Sequence, residues 1–149
     1  MADAPHPEVI RLQLPSRLEL LSVLDRLCLA VCERMGFDED VTSHVAMAVL
    51  EAGTNAVEHG NGKDASKSFE VRFTLHPDRL EVEVEDAGTG FEIPETPKDI
   101  TSPEHILDMR GRGIFIMRNC MDTVEWRFAA SGTVCQLVKH RASATAAGA

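Results

Sequence analysis

Glu51-Ala-Gly-Thr-Asn55-Ala-Val-Glu58-His59-Gly60 is the stretch on which the reading of the chain turns. It closes a long helical pattern and carries polar residues where a plain core helix would not. Glu51, Asn55 and His59 are spaced i, i+4, i+8, so on a helix they share one stripe, and Val45, Ala48, Val49, Ala52 and Ala56 form an apolar stripe beside it. One face can pack while the other offers chemistry. A carboxylate and a carboxamide one turn apart can divide the work of phosphoryl transfer, Glu51 taking a proton from an attacking hydroxyl and the Asn55 oxygen ligating a magnesium ion. The same pattern also suits a solvated polar face that ends at Gly60, so this stretch alone decides nothing about activity.

Working outward, Asp38 or Asp40 caps this helix, and Gly36 closes the one before it, which runs from a Ser16-Arg-Leu-Glu19 capping box through Leu18, Leu21, Leu24, Leu27, Leu29 and Val31. That first helix is apolar over more than one stripe, so it is either deeply buried or partly a subunit contact. Val9 to Leu14 alternates as a strand that Pro15 ends. After the Gly60–Asp64 loop, Phe69, Val71, Phe73 and Leu75 alternate along one strand, Pro77-Asp78 turns, and Leu80 to Glu85 alternates back, which predicts an antiparallel hairpin. A segment with Pro94, Pro97 and Pro103 follows, long for a connecting turn. A third helix is expected from about Gly113 to Met121, then a second hairpin of Val124–Phe128 and Thr133–Val138. Helices and hairpins in this order predict an α+β fold, a two-layer α/β sandwich whose mixed, mostly antiparallel sheet has helices on one face and water on the other. The domain is expected over residues 9–140, with flexible tails at 1–8 and 141–149.

With 149 residues and 44% hydrophobic content the chain is long enough for one well-buried core. Its 15 Lys and Arg stand against 24 Asp and Glu, a net charge of -9, which argues against non-specific attraction to nucleic acid or anionic membrane and favours a protein partner. No apolar run approaches the roughly 18 residues of a membrane span, and the N-terminus lacks the order of a signal peptide, so a cytoplasmic location is expected. Cys28, Cys32, Cys120 and Cys135 form no CxxC pair and are expected as buried, reduced thiols. The histidines at 6, 44, 76, 105 and 140 are expected on the surface or in loops.

Two glycine clusters could carry further chemistry. Asp86-Ala-Gly88-Thr-Gly90-Phe91 follows directly on a strand; glycines there let the backbone turn tightly toward a ligand, and a strand-end Asp can accept a hydrogen bond from an exocyclic amine such as that of adenine. Arg110-Gly111-Arg112-Gly113 opens the third helix, where free amides attract phosphate, and with Arg118 it forms the one dense basic patch of an acidic chain. Each pattern alone also fits an ordinary turn or solvated loop. Walker-type and Rossmann glycine motifs, zinc spacings and G-x-S-x-G are all missing from the sequence.

Taken in order, E-A-x-x-N-A-x-x-H-G, D-x-G-x-G-F, R-G-R-G-I-x-I-M-R and a late G-T resemble the Bergerat-fold, histidine-kinase-like ATPases. The small size, the opening Ile-x-Leu-x-Leu-Pro15 strand and Ile-Met-Arg-x-x-Met-Asp122-x-Val are similar to the anti-sigma factor serine/threonine kinases of that superfamily. The resemblance implies ATP and Mg2+ as cofactors, Glu51 as general base and Asn55 as magnesium ligand. It implies that Asp86 takes the adenine amine with Thr133 beside it, that Gly88 and Gly90 shape the adenine pocket, and that Arg110, Gly111, Arg112 and Gly113 meet the phosphates beneath a lid from Pro94 to Arg112. It implies a homodimer that phosphorylates an anti-anti-sigma, STAS-type protein and holds a sigma factor from polymerase, with no direct contact to nucleic acid or membrane. The rival functions are a regulator that uses ATP only to set its grip on a partner, and a stand-alone histidine-kinase-like catalytic domain.

Overall fold

A computed structural model describes residues 5–88, 109–129 and 131–142, with the side chains of 109, 110 and 129 excepted. The expected lid from Pro94 lies for the most part outside the described residues, as do Gly90 and His105.

Strand β1 (Glu8–Pro15) is followed by a 3-10 turn (Leu18–Leu20), helices α1 (Leu21–Met35) and α2 (Glu39–Asn55), a π turn (Ala56–Gly60), strands β2 (Ser68–Leu75) and β3 (Arg79–Asp86), helix α3 (Met109–Cys120), and strands β4 (Thr123–Ala129) and β5 (Gly132–His140). The strands form one sheet in the order β1-β2-β3-β5-β4, and every pairing is antiparallel, so the described sheet is not mixed. The fold class is as expected: α+β, in two layers.

The alternation that predicts the strands also builds the core. Phe69, Val71, Phe73 and Leu75 of β2 and Leu80, Val82 and Val84 of β3 point into the helices and are buried, as are Val45, Ala48, Val49, Ala52 and Ala56 of the central helix. Each large side chain so buried contributes about 1.5–3 kcal/mol. The outer face carries Arg72, Glu83 and Arg127 in an ion-pair chain. Helix α1 buries Leu24, Cys28, Val31, Cys32 and Met35 but leaves Val23 and Leu29 exposed, so it spends one apolar stripe on the core and keeps some of the second outside. All four cysteines are free and buried. His76 lies, as expected, in the loop between β2 and β3, where it is partly buried with its ring nitrogen 3.4 Å from the Glu81 carboxylate.

Gly36 ends α1 at φ 74°, and the Asp38 side chain accepts the Val41 amide at the start of α2. The expected Ser16 capping box does not form. Arg17 occupies the cap position of the 3-10 turn with no side-chain cap bond, because the Ser16 hydroxyl is buried and accepts a hydrogen bond from Asn61 instead. The α-helical part of the central helix also stops short of His59. It widens after Asn55 into the π turn, where the Asn61 amide reaches back five residues to Ala56 at 2.8 Å. The third helix begins earlier than expected, at Met109, so its glycine-rich start is already helical.

Candidate active site

The end of α2, the start of α3 and the ends of β3 and β5 meet at one corner of the sandwich. Glu51 and Asn55 come from the last turns of α2. Against them packs Gly113, so closely that a Cβ on it would sit 2.8 Å from Glu51 Oε2 and 3.9 Å from Asn55 Nδ2. Burial raises the Glu51 pKa above the ordinary carboxylate value; the nearby Arg112 charge opposes that shift and the Glu58 charge adds to it. Asn55 is buried, and its Nδ2 has no hydrogen-bond partner among the described residues. His59 falls in the π turn and is exposed, while Asn55 is buried and Glu51 partly so.

Asp86 is the last residue of β3 and pairs across the sheet with Thr133 of β5. Both are buried. Burial raises the Asp86 pKa, while hydrogen bonds from the backbone amides of Gly88 and Thr133 pull it the other way. The Gly88 amide donates to Asp86 Oδ1 at 2.8 Å. Space around this carboxyl is filled by backbone: a Cβ on Gly60 would run into the Asp86 carboxyl, one on Gly88 into the Gly60 carbonyl, and one on Gly132, at φ 149°, into the Asp86 carbonyl.

Between these groups lies a tight pocket of about 10 Å³, lined by Ala52, Asn55, Ala56, Val84, Asp86, Trp126, Thr133 and Cys135. That is about the room of one water and far below the roughly 300–1,000 Å³ of a typical small-molecule site, so a planar ring enters this corner only as the lining side chains move apart. The lining pairs apolar walls, which suit the faces of such a ring, with polar groups that suit its edge. The Thr133 hydroxyl and Asn55 Nδ2 are both buried there with no hydrogen-bond partner among the described residues. Orphaned groups of this kind each cost about 1–3 kcal/mol, which a ligand bearing donors and acceptors would offset.

The structure thus brings Asn55, Asp86 and Thr133 into one pocket, with Glu51, Arg112 and Gly113 beside it. Gly111 and Arg110 lie in the first turn of α3, where the helix end favours an anion. Two contributors escaped sequence reading. Trp126 sits in an ordinary alternating strand, yet it lines the pocket, with the Arg118 guanidinium 5.6 Å from its ring centroid. Asn61 reads as a loop residue before a glycine, yet it is buried. Its only sequence signal is its place directly after the polar run.

The chain matches the histidine kinase-like ATPase domain family over residues 14–139. The serine-protein kinase RsbW of Bacillus licheniformis is 32% identical over 132 residues, 85% of this chain and 82% of that protein. RsbW of Bacillus subtilis (strain 168) is 32% identical over 122 residues, 78% of this chain and 76% of that protein. Among solved structures, the RsbU and RsbW domains of Rv1364c from Mycobacterium tuberculosis share the fold at a TM-score of 0.63 and 16% identity, covering 91% of this chain and 34% of that one. The histidine kinase domain of the blue-light activated histidine kinase of Erythrobacter litoralis EL346 aligns at a TM-score of 0.52 and 20% identity, over 93% of this chain and 65% of that one. The chain belongs to the histidine kinase-like ATPase domain family and, more narrowly, to that of the RsbW serine-protein kinases; it is an ATP-binding enzyme of the kinase class. Among the described residues no helix is long and apolar enough to cross a membrane.

Proposed function

We propose that this chain, with residues 9–140 as its functional unit, is a magnesium-dependent serine/threonine kinase of an anti-anti-sigma, STAS-type protein. In this reading it is an anti-sigma factor, acting as a homodimer in the cytoplasm and holding a sigma factor from polymerase. The observation that carries the reading is the meeting of Glu51 and Asn55 with the start of α3, beside a pocket that holds a buried carboxyl and two unpartnered polar atoms. The names of the RsbW relatives support the serine specificity.

Bound ATP with magnesium supplies the phosphoryl group and neutralises its charge. The chain's residues divide the rest. Asp86 accepts the amine of the base, and the Thr133 hydroxyl fills out the base edge, so adenine is chosen by hydrogen bonds rather than shape. Gly88 shapes the wall beside it. The backbone amides of Arg110, Gly111, Arg112 and Gly113 at the helix end, with the Arg112 guanidinium, attract the phosphates. Asn55 would be the side chain that holds magnesium, through its carboxamide oxygen. No group of described His, Cys, Asp or Glu side chains could hold a metal alone, and magnesium in nucleotide sites usually leans on one or two side chains plus substrate phosphates. Glu51 takes the proton of the incoming serine hydroxyl, a role favoured by the raised proton affinity that burial gives it.

The test is transfer of radiolabel from ATP to purified STAS-type proteins, with Glu51→Gln alongside. Transfer to one of them that falls by about 10²-fold or more in the variant is the expected result. ATP binding without transfer to any would sink the assignment of a STAS-type substrate and favour an ATP-gated grip on a partner as the chain's regulatory role.

A further inference from the structure

Asn61 ties four segments together at the back of the base pocket. Its side chain is 3% exposed. Nδ2 donates to the Ser16 hydroxyl at 2.6 Å and to the Ser68 carbonyl at 3.0 Å, joining the end of β1 to the start of β2. Oδ1 accepts the amide of Ala87 at 2.8 Å, and Ala87 directly follows Asp86. The preceding residue, Gly60, lies against the Asp86 carboxyl and also against the backbone of Gly88. A single carboxamide therefore fixes the peptide that leaves β3, at the point where the chain turns so that the Gly88 amide can bond Asp86.

We infer that Asn61 is a positioning residue for the Asp86 carboxyl, setting the angle at which that carboxyl meets the base; this rests on the reading of Asp86 as the adenine contact. Asn61 does not itself line the pocket; its backbone amide bonds Ala56 of the lining, and its side chain reaches Asp86 through the Ala87 peptide. Hydrogen-bond selectivity depends steeply on angle and distance. A peptide released at Ala87 lets Asp86 swing, and the contact most sensitive to that swing is the one to the exocyclic amine.

The discriminating probe is purine riboside triphosphate, which matches ATP but lacks that amine. Affinities of both nucleotides are measured by calorimetry for the wild type, Asn61→Ala and Asp86→Asn. The wild type is expected to favour ATP by about tenfold or more, and Asn61→Ala to bring the ratio close to one. A destabilised Asn61→Ala that keeps the full ratio would overturn the inference, since a merely structural residue lowers stability without touching selectivity. Should Asn61→Ala not fold, Asn61→Ser, too short to span to Ala87, takes its place; failure of both to fold would likewise overturn it by making Asn61 a folding residue. A wild type that binds the two nucleotides equally, unchanged in Asp86→Asn, overturns the reading of Asp86 itself. An ATP-selective wild type beside an equally selective Asn61→Ala overturns only the role of Asn61.

Discussion

The Glu51 carboxylate lies where a side chain on Gly113 would have to go, with Oε2 2.8 Å from the position of a Cβ there. The start of α3 is thus shaped around the group assigned as base. In Gly113→Ala the far end of the Glu51 side chain must move, while the helix gains about 1 kcal/mol of intrinsic preference for Ala over Gly. The expected outcome is phosphotransfer slowed about tenfold or more with a melting temperature equal to or above that of the wild type. A variant that melts early, or that transfers phosphate normally, would show that the contact does not govern the carboxylate.

The acid limb of the rate profile should report Glu51. A base works when unprotonated, and burial raises its pKa, so turnover should rise with pH through a value above the ordinary Glu range of about 4.3. The Arg112 charge holds that value down. Arg112→Ala should therefore move the acid limb to higher pH, as measured by single-turnover transfer at saturating ATP. A limb that stays in place, or moves down, would separate the two residues.

Asp86 should weigh on stability in the opposite sense from a salt-bridged carboxylate. Its folded pKa is raised, so as pH climbs past the ordinary Asp value of about 3.9 the unfolded chain gives up its proton first and stability falls. The cost is complete once the folded Asp86 has ionised. Asp86→Asn removes it and keeps an acceptor for the Gly88 amide. At pH 7 this variant should melt at or above the wild-type temperature while binding ATP at least about tenfold more weakly, the cost of a lost charged hydrogen bond. Thermal melts from pH 4 to pH 8 should converge at the acid end.

Asn55 should behave similarly for another reason. Its Nδ2 is buried and unpartnered, so Asn55→Ala removes an unsatisfied group rather than a contact. Calorimetry should find magnesium-dependent ATP binding abolished, and circular dichroism should find no loss of thermal stability. Tight binding by the variant would remove Asn55 from the metal site.

The parts of this fold set by local chemistry were open to reading from residues. The two-residue alternation of Phe69 to Leu75, the left-handed Gly36 and the Asp38 cap each depend on neighbours in sequence. The polar stripe of Glu51 and Asn55 was legible for the same reason, since one helical turn joins them. Long-range pairing was not. Nothing near Asp86 announces that β3 pairs with β5 and puts it opposite Thr133; that link came from a resemblance to known proteins. Ser16 was misjudged because a cap motif is a local preference, and a buried carboxamide from far along the chain outcompetes it. The π turn that breaks the i, i+4 spacing from Asn55 to His59 was hidden likewise, since it ends at Gly60, which packs against the distant Asp86 carboxyl.

Backbone crowds Asp86 from Gly60 and Gly132 directly, and Gly88 in turn packs on Gly60. Any side chain at these positions would collide with fixed backbone or with the carboxyl itself, so this corner has little freedom to drift. Selection of the chain for a different nucleotide should therefore leave 60, 88 and 132 as glycine. Change should accumulate in the side chains at Trp126, Thr133 and Cys135, where a substitution alters the shape of the pocket without displacing the main chain that forms its back.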